Sequence, residues 1–242
     1  MRFIKRLKEF VKKYVFCIKW RCAVCGKEIF NGEHFCSDCK EKLPLNDGNY
    51  CYKCGRKSLQ SQQTCSTCKQ TAQNYQRARS AFVYQQPIDQ FIKKLKFYNK
   101  RFYVEILAEY LSITYFKHVF TPDVITYVPM TQKSQRKRGY NQSKLLALGL
   151  SSRVNVEVVD CLEKVKETQR QSKLTKSQRQ KNLKGAFKVV NKSLIKNKRV
   201  LLVDDVLTTG TTVNAVCEKL LKAGAVAVDV LTVASVPPKE GY

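Results

Sequence analysis

"VLLVDDVLTTGTT", residues 200–212, decides how the chain reads. An apolar run of strand type ends in two aspartates, Asp204 and Asp205, then enters a loop of threonines around Gly210. In an open parallel sheet, ligands collect beyond the carboxyl ends of the strands. Two carboxylates there can accept hydrogen bonds from the vicinal hydroxyls of a ribose. Consecutive strand side chains point to opposite faces, so both acids reach one ligand only if the strand stops here. The following Thr208, Thr209, Gly210, Thr211 and Thr212 offer N–H groups and hydroxyls at the start of a helix, a cradle for phosphate. Gly210 permits a left-handed backbone or close approach of the anion. The stretch has no GKT or GKS, which excludes a P-loop, and no GxGxxG, which excludes the dinucleotide fingerprint.

Outward from this stretch, residues 80–242 alternate strand and helix patterns. Strands are predicted at SAFVY, VITYVPM, VNVEVVD, RVLLVDD and VAVDVLTVAS, and helices over 88–98, 102–118, 140–150 and 212–223. Apolar strands flanked by helices predict an α/β fold with a parallel sheet covered on both faces. In the last unit Val213, Val216, Cys217, Leu220 and Leu221 form one helix face, and Gly224 stops the helix. Cys217 is then core packing, while Cys17 and Cys161 have no pair at metal spacing.

Residues 21–79 carry a different signal. Cys22 and Cys25, Cys36 and Cys39, Cys51 and Cys54, and Cys65 and Cys68 form four CxxC pairs, in a repeat of period about 29. Four thiolates close the tetrahedral shell of a structural zinc with no open position. The simplest pairing gives two zinc ribbons, one per half, although spacing alone allows crossed pairing. Because four cysteines already suffice, His34 is expected at the surface.

The charge is +26 and unevenly spread. Residues 1–79 carry 17 basic and 6 acidic groups, residues 80–199 carry 25 and 8, and residues 200–242 carry 3 and 5. A polyanion is the natural partner of such a field. The stretch VPMTQKSQRKRGYNQSK contains Lys133, Arg136, Lys137, Arg138 and Lys144 with no acid, and offers a second anion site suited to pyrophosphate. Residues 164–188 hold nine basic groups and one acid, the pattern of a mobile loop over a bound phosphate or of a strip along a nucleic-acid backbone. Tyr140 and Phe187 offer aromatic faces to bases, with core packing the expected place of Phe187. Residues 1–20 read as a basic amphipathic helix, with Ile4, Leu7, Val11, Tyr14 and Ile18 on one face. Such a helix suits an anionic membrane surface, a phosphate backbone or a neighbouring domain. No stretch of roughly 18 apolar residues is present and no signal-peptide core interrupts the charges, so a cytoplasmic protein with reduced thiols is expected.

Residues 200–212 resemble the PRPP-binding signature of type I phosphoribosyltransferases. The resemblance implies that Asp204 and Asp205 hold the ribose and Thr208 to Thr212 the 5′-phosphate, with Mg²⁺ bridging pyrophosphate and sugar. The order of CxxC pairs, RKRGYNQS, TQRQSKLTKSQRQKNLKGAF and VLLVDDVLTTGTT is similar to that of the ComF (ComFC) family, the phosphoribosyltransferase-like proteins linked to DNA uptake in transformation. Thr168, Gln171, Leu174, Arg179, Asn182, Gly185, Ala186 and Phe187 stand where that family tends to have them; Lys164 departs, in a place where arginine is common. The contact candidates for pyrophosphate or DNA are then Lys133, Arg136, Lys137, Arg138, Gly139, Asn141, Gln171, Arg179 and Asn182. The resemblance implies a cytoplasmic accessory, at or near the inner face of the membrane, that binds single-stranded DNA and PRPP and works with a helicase and the uptake machinery. Two further readings stay open: a metabolic transferase that joins PRPP to a nitrogenous base, and a sensor that binds PRPP or a nucleotide without turnover.

Overall fold

The structure, a computed structural model, describes residues 20–30, 32–58, 63–98, 102–167 and 183–238. The N-terminal amphipathic pattern, Cys17, Gln171, Arg179 and Asn182 lie outside the described residues. Two compact units divide between Leu43 and Pro44.

In the first unit, strands β1 (Trp20–Arg21) and β2 (Glu28–Ile29) pair antiparallel around a turn that carries Cys22 and Cys25. The turn closes through Cys22 N–H to the Lys27 carbonyl, 2.8 Å, and Gly26 N–H to the Cys22 carbonyl, 2.9 Å. Helix α1 (Ser37–Glu41) starts directly after Cys36 and brings Cys39 back to the turn.

The second cysteine half repeats this construction inside the second unit. Cys51 N–H donates to the Arg56 carbonyl, 2.9 Å, and Gly55 N–H to the Cys51 carbonyl, 2.8 Å. Helix α2 (Ser66–Gln70) starts after Cys65. Gly55 is left-handed at φ +66°, and a Cβ there would lie 2.3 Å from the Ala78 carbonyl oxygen. Only glycine lets this turn press onto the first strand of the main sheet. Buried Asn46 adds a clamp, donating to the Gly55 carbonyl at 2.7 Å and the Ser80 carbonyl at 3.3 Å. Cys51 and Cys54 thereby share one apolar core with Tyr75, Ala78, Val213 and Val216.

The main sheet has four parallel strands: β3 (Ala78–Val83), β4 (Val124–Tyr127), β7 (Arg199–Leu207) and β8 (Ala227–Ser235), in the order β3-β8-β7-β4. Between β4 and β7 in sequence, β5 (Leu162–Lys164) and β6 (Phe187–Val189) pair antiparallel. The predicted strand VNVEVVD yields only a parallel bridge from Val158 to Ile125, because Val154 belongs to the preceding helix. Parallel strands buried on both faces read as near-continuous apolar runs, and β7 does so from Val200 to Val203.

Five longer segments complete the unit: α3 (Ile88–Phe97), α4 (Phe102–Lys117), α5 (Gln132–Arg138), α6 (Gln142–Val154) and α7 (Thr211–Lys222). α6 begins where the Asn141 side chain accepts from Ser143 N–H and Lys144 N–H, and ends at left-handed Asn155. α7 buries Val213, Val216, Cys217 and Leu220, as its spacing predicts, whereas Leu221, expected on the same face, is 37% exposed because the apolar stripe is narrower than the pattern suggests. Phe187 is also core, at 4% exposure. Tyr140 is buried and its hydroxyl donates to the Leu95 carbonyl, so its ring offers no face for a base.

Candidate functional site

β7 does not stop at the aspartates; it runs through both of them to Leu207. The expected convergence of the two acids on one face therefore does not arise from a strand end, and each carboxylate has its own partners. Asp204 Oδ1 accepts from Ser143 Oγ at 2.8 Å and from Asp205 N–H at 2.9 Å. Asp205 Oδ2 lies 2.6 Å from Lys96 Nζ, at the C-terminal end of α3. Both acids are buried. Burial above all, and then the charge of Asp205, push Asp204 up to about 7. For Lys96 burial opposes the charge, yet Asp205 and then Asp204 hold its pKa above the ordinary value. Two carboxylates and one ammonium thus share the carboxyl end of β7.

After Leu207 the chain enters the threonine loop. Gly210 caps α7 in the left-handed region at φ +77°. The first N–H groups of any helix lack intrahelical acceptors and carry the positive end of its dipole, so this turn presents donors of the kind an anion needs. Thr209 and Thr211 hydroxyls are 2.8 Å apart. Thr209, Gly210 and Thr211 line a cavity of about 600 Å³ together with Thr67, Thr71 and Gln73 of the second cysteine half, Gly185, and Phe187 of β6.

Within the basic stretch, residues 132–138 form helix α5. Its N-cap Thr131 accepts from Ser134 N–H, and Gly139 ends it at φ +83°. Lys133, Arg136, Gly139 and Asn141 line a second cavity of about 1000 Å³, together with Lys164 and the acids Glu163 and Glu167. Lys137 is exposed. Arg138 donates to Gln142 Oε1 at 2.5 Å and its guanidinium lies 5.4 Å from the Phe97 ring centroid. Asn141 is committed to the α6 cap and donates to the Val128 carbonyl at 3.1 Å. Lys144 pairs with Asp160 at 2.6 Å.

The cysteines settle into two quartets, Cys22/Cys25/Cys36/Cys39 and Cys51/Cys54/Cys65/Cys68, each with its four sulfurs within 4.8 Å of one another. The pairing is therefore within halves, not crossed. Cys25 and Cys36 sulfurs are 3.8 Å apart and Cys54 and Cys65 sulfurs 3.7 Å. A zinc tetrahedron with bonds of about 2.3 Å has an edge of about 3.8 Å, so both quartets fit structural zinc. Cys54 N–H and Cys65 N–H point at Cys51 Sγ, at 3.5 and 3.3 Å, which steadies that thiolate.

Two family models match: a phosphoribosyl transferase domain over residues 141–241 and a double zinc ribbon domain over residues 15–69. The DNA utilization protein YhgH of Escherichia coli K12 is 32% identical over 162 residues, covering 64% of this chain and 70% of its own. Competence protein F of Haemophilus influenzae is 36% identical over 148 residues, 58% of this chain and 65% of its own length. The chain belongs to the ComF family. The ComF fold here is the phosphoribosyltransferase-like parallel sheet with an N-terminal pair of cysteine quartets. A glutamine PRPP amidotransferase from B. subtilis aligns at 23% identity over 53% of this chain and 25% of its own, with a TM-score of 0.38. Among the described residues, no helix is long and apolar enough to cross a membrane.

Lys96 escaped the sequence reading, yet it carried a signal. Ile88, Phe91, Ile92 and Leu95 are the buried face of α3, and Lys96 follows Ile92 by four residues, on the same stripe. A lysine on an apolar stripe calls for a buried acid.

Proposed function

We propose that this protein is an accessory of DNA uptake, holding PRPP in its phosphoribosyltransferase-type pocket and single-stranded DNA on its basic surface. The observation that carries the reading is the passage from Asp204 and Asp205 straight into the Gly210-capped start of α7. It occurs in a chain whose relatives are named for competence and DNA utilization.

In this reading Asp204 and Asp205 accept from the ribose hydroxyls, and Thr208 to Thr212 enclose the 5′-phosphate. Lys133 and Arg136, across their own cavity, supply charge for pyrophosphate. Mg²⁺ bound with PRPP would neutralise the pyrophosphate, and the two aspartates have the hard oxygen ligands it prefers. The net charge of +26 supports a polyanionic partner, held by neutralised phosphates. A helicase and the uptake machinery are the proposed protein partners, the inner face of the membrane the proposed place, and residues 1–20 the proposed contact there.

Calorimetry with PRPP and Mg²⁺, on the wild type and on Asp204→Asn/Asp205→Asn, tests the pocket. Binding in the wild type and its loss in the double variant are expected; no heat with the wild type overturns the assignment. Single-stranded DNA should bind with an affinity that falls steeply with salt, and a flat salt response overturns that part. Pyrophosphate release with one free base would favour a metabolic transferase, and binding without consumption a sensor.

A further inference from the structure

The two cysteine halves share the same turn, and the residue that closes it differs. Lys27 closes the first turn and is exposed; Arg56, 29 residues on in the equivalent position, closes the second and is 5% exposed. Arg56 turns inward. Its Nε donates to Cys54 Sγ at 3.2 Å and Nη2 to Cys65 Sγ at 3.7 Å. The remaining arm, Nη1, donates to the Thr208 carbonyl at 3.2 Å. One planar fork therefore spans from two thiolates of the second quartet to the first residue of the phosphate loop.

That carbonyl matters for anion binding. A peptide is planar and trans, so the Thr208 C=O and the Thr209 N–H point in opposite directions. Holding the carbonyl on Arg56 keeps a repulsive oxygen off the cradle and turns the next N–H the other way, where an anion can take it. The same cysteine half grips the loop's exit too: Asn74 N–H donates to Asn214 Oδ1 at 2.5 Å, and Asn214 Nδ2 donates to the Ala72 carbonyl at 3.4 Å. Both ends of residues 208–214 thus rest on the segment that the second quartet folds.

We propose that Arg56 is a positioning residue through which the second cysteine quartet sets the anion-binding geometry of the Thr208–Thr212 loop. Guanidinium geometry is required, because an ammonium cannot reach both thiolates and the carbonyl at once. Removing the metal disperses the thiolates and frees the fork. The proposal rests on the reading of 208–212 as the phosphate cradle, and its test does not.

The test compares full-length, zinc-loaded wild type with Arg56→Lys and Arg56→Gln, by metal analysis and amide hydrogen exchange. Both variants should keep two zinc ions per chain. Exchange over residues 214–217, whose N–H groups bond back to the carbonyls of 210–213 in the first turn of α7, should rise at least tenfold, while residues 199–205 of β7 keep wild-type protection. PRPP affinity should fall at least tenfold in parallel. Unchanged exchange over 214–217 in zinc-loaded variants overturns the proposal, as does a rise spread evenly over the sheet. Should the variants not fold, stepwise chelation of the wild type decides. Loss of loop protection with release of the second quartet's zinc supports the link, and protection that survives that release overturns it. If the wild type binds no PRPP, the pocket reading fails while exchange still settles the role of Arg56.

Discussion

Lys96 Nζ and Asp205 Oδ2 meet at 2.6 Å, joining the C-terminal turn of α3 to the carboxyl end of β7. The pair sits beside Asp204, so it compensates one of two adjacent buried carboxylates. Breaking such a pair from one side leaves an uncompensated charge, which costs about 3–5 kcal/mol. The Lys96 side chain is 24% exposed, which places the cost at the lower end. Lys96→Met should lose about 3 kcal/mol in urea unfolding. Lys96→Met/Asp205→Asn should regain most of it, since neither charge remains.

Asp204 gives the opposite sign. Its folded pKa, about 7, stands above its ordinary 3.8, so the folded state binds its proton more tightly than the unfolded chain. The ionised form is a penalty that is absent below pH 4 and complete above pH 7. Three pKa units correspond to at most about 4 kcal/mol. Asp204→Asn keeps an acceptor for Ser143 and removes the penalty. Its melting temperature should exceed the wild type's by more at pH 8 than at pH 5, as thermal unfolding at the two values will show.

Much of this architecture was legible from period and composition. The runs at 80–84, 124–130, 199–205 and 226–235 fall on the four sheet strands, with the second running three residues past its strand, because strands buried on both faces need unbroken apolar stretches. VNVEVVD failed because propensity cannot say where α6 ends, and Asn155 in the left-handed region ends it one residue into the run. The helix over 132–138 leaves no mark in the sequence pattern, because seven polar residues show no apolar period; Thr131 and Gly139 cap it. The cysteine spacing suggested one quartet per half but left crossed pairing open, and it said nothing of their setting. That the second quartet is embedded in the sheet's core depends on Asn46, Gly55 and Arg56, whose contacts reach Ser80, Ala78 and Thr208, as far as 152 residues away.

Gly55 makes that embedding testable. Alanine there must hold φ +66° and place a Cβ 2.3 Å from the Ala78 carbonyl oxygen. A left-handed alanine costs about 1–2 kcal/mol and overpacking about 1–3 more. Gly55→Ala should lower the stability of the whole second unit, whereas Gly26→Ala, with open space around its Cβ, should pay the backbone cost alone. Thermal melts of the two variants, followed by the far-ultraviolet signal of the α/β unit, separate the cases.

Lys133 and Arg136 test whether the single strand and the pyrophosphate draw on the same cations. Both are exposed on α5 and line the cavity that also holds Glu163 and Glu167. Each cation that neutralises a phosphate of a single strand contributes about 0.7 to the slope of log K against log salt. Lys133→Ala/Arg136→Ala should therefore flatten that slope by about 1.4 and weaken binding at low salt, where counterion release is largest. PRPP binding should also weaken, through lost charge at the pyrophosphate, while the melting temperature stays near the wild type's because neither side chain is buried. A slope unchanged from the wild type, measured by fluorescence anisotropy over a salt series, would place the single strand on another face of the protein.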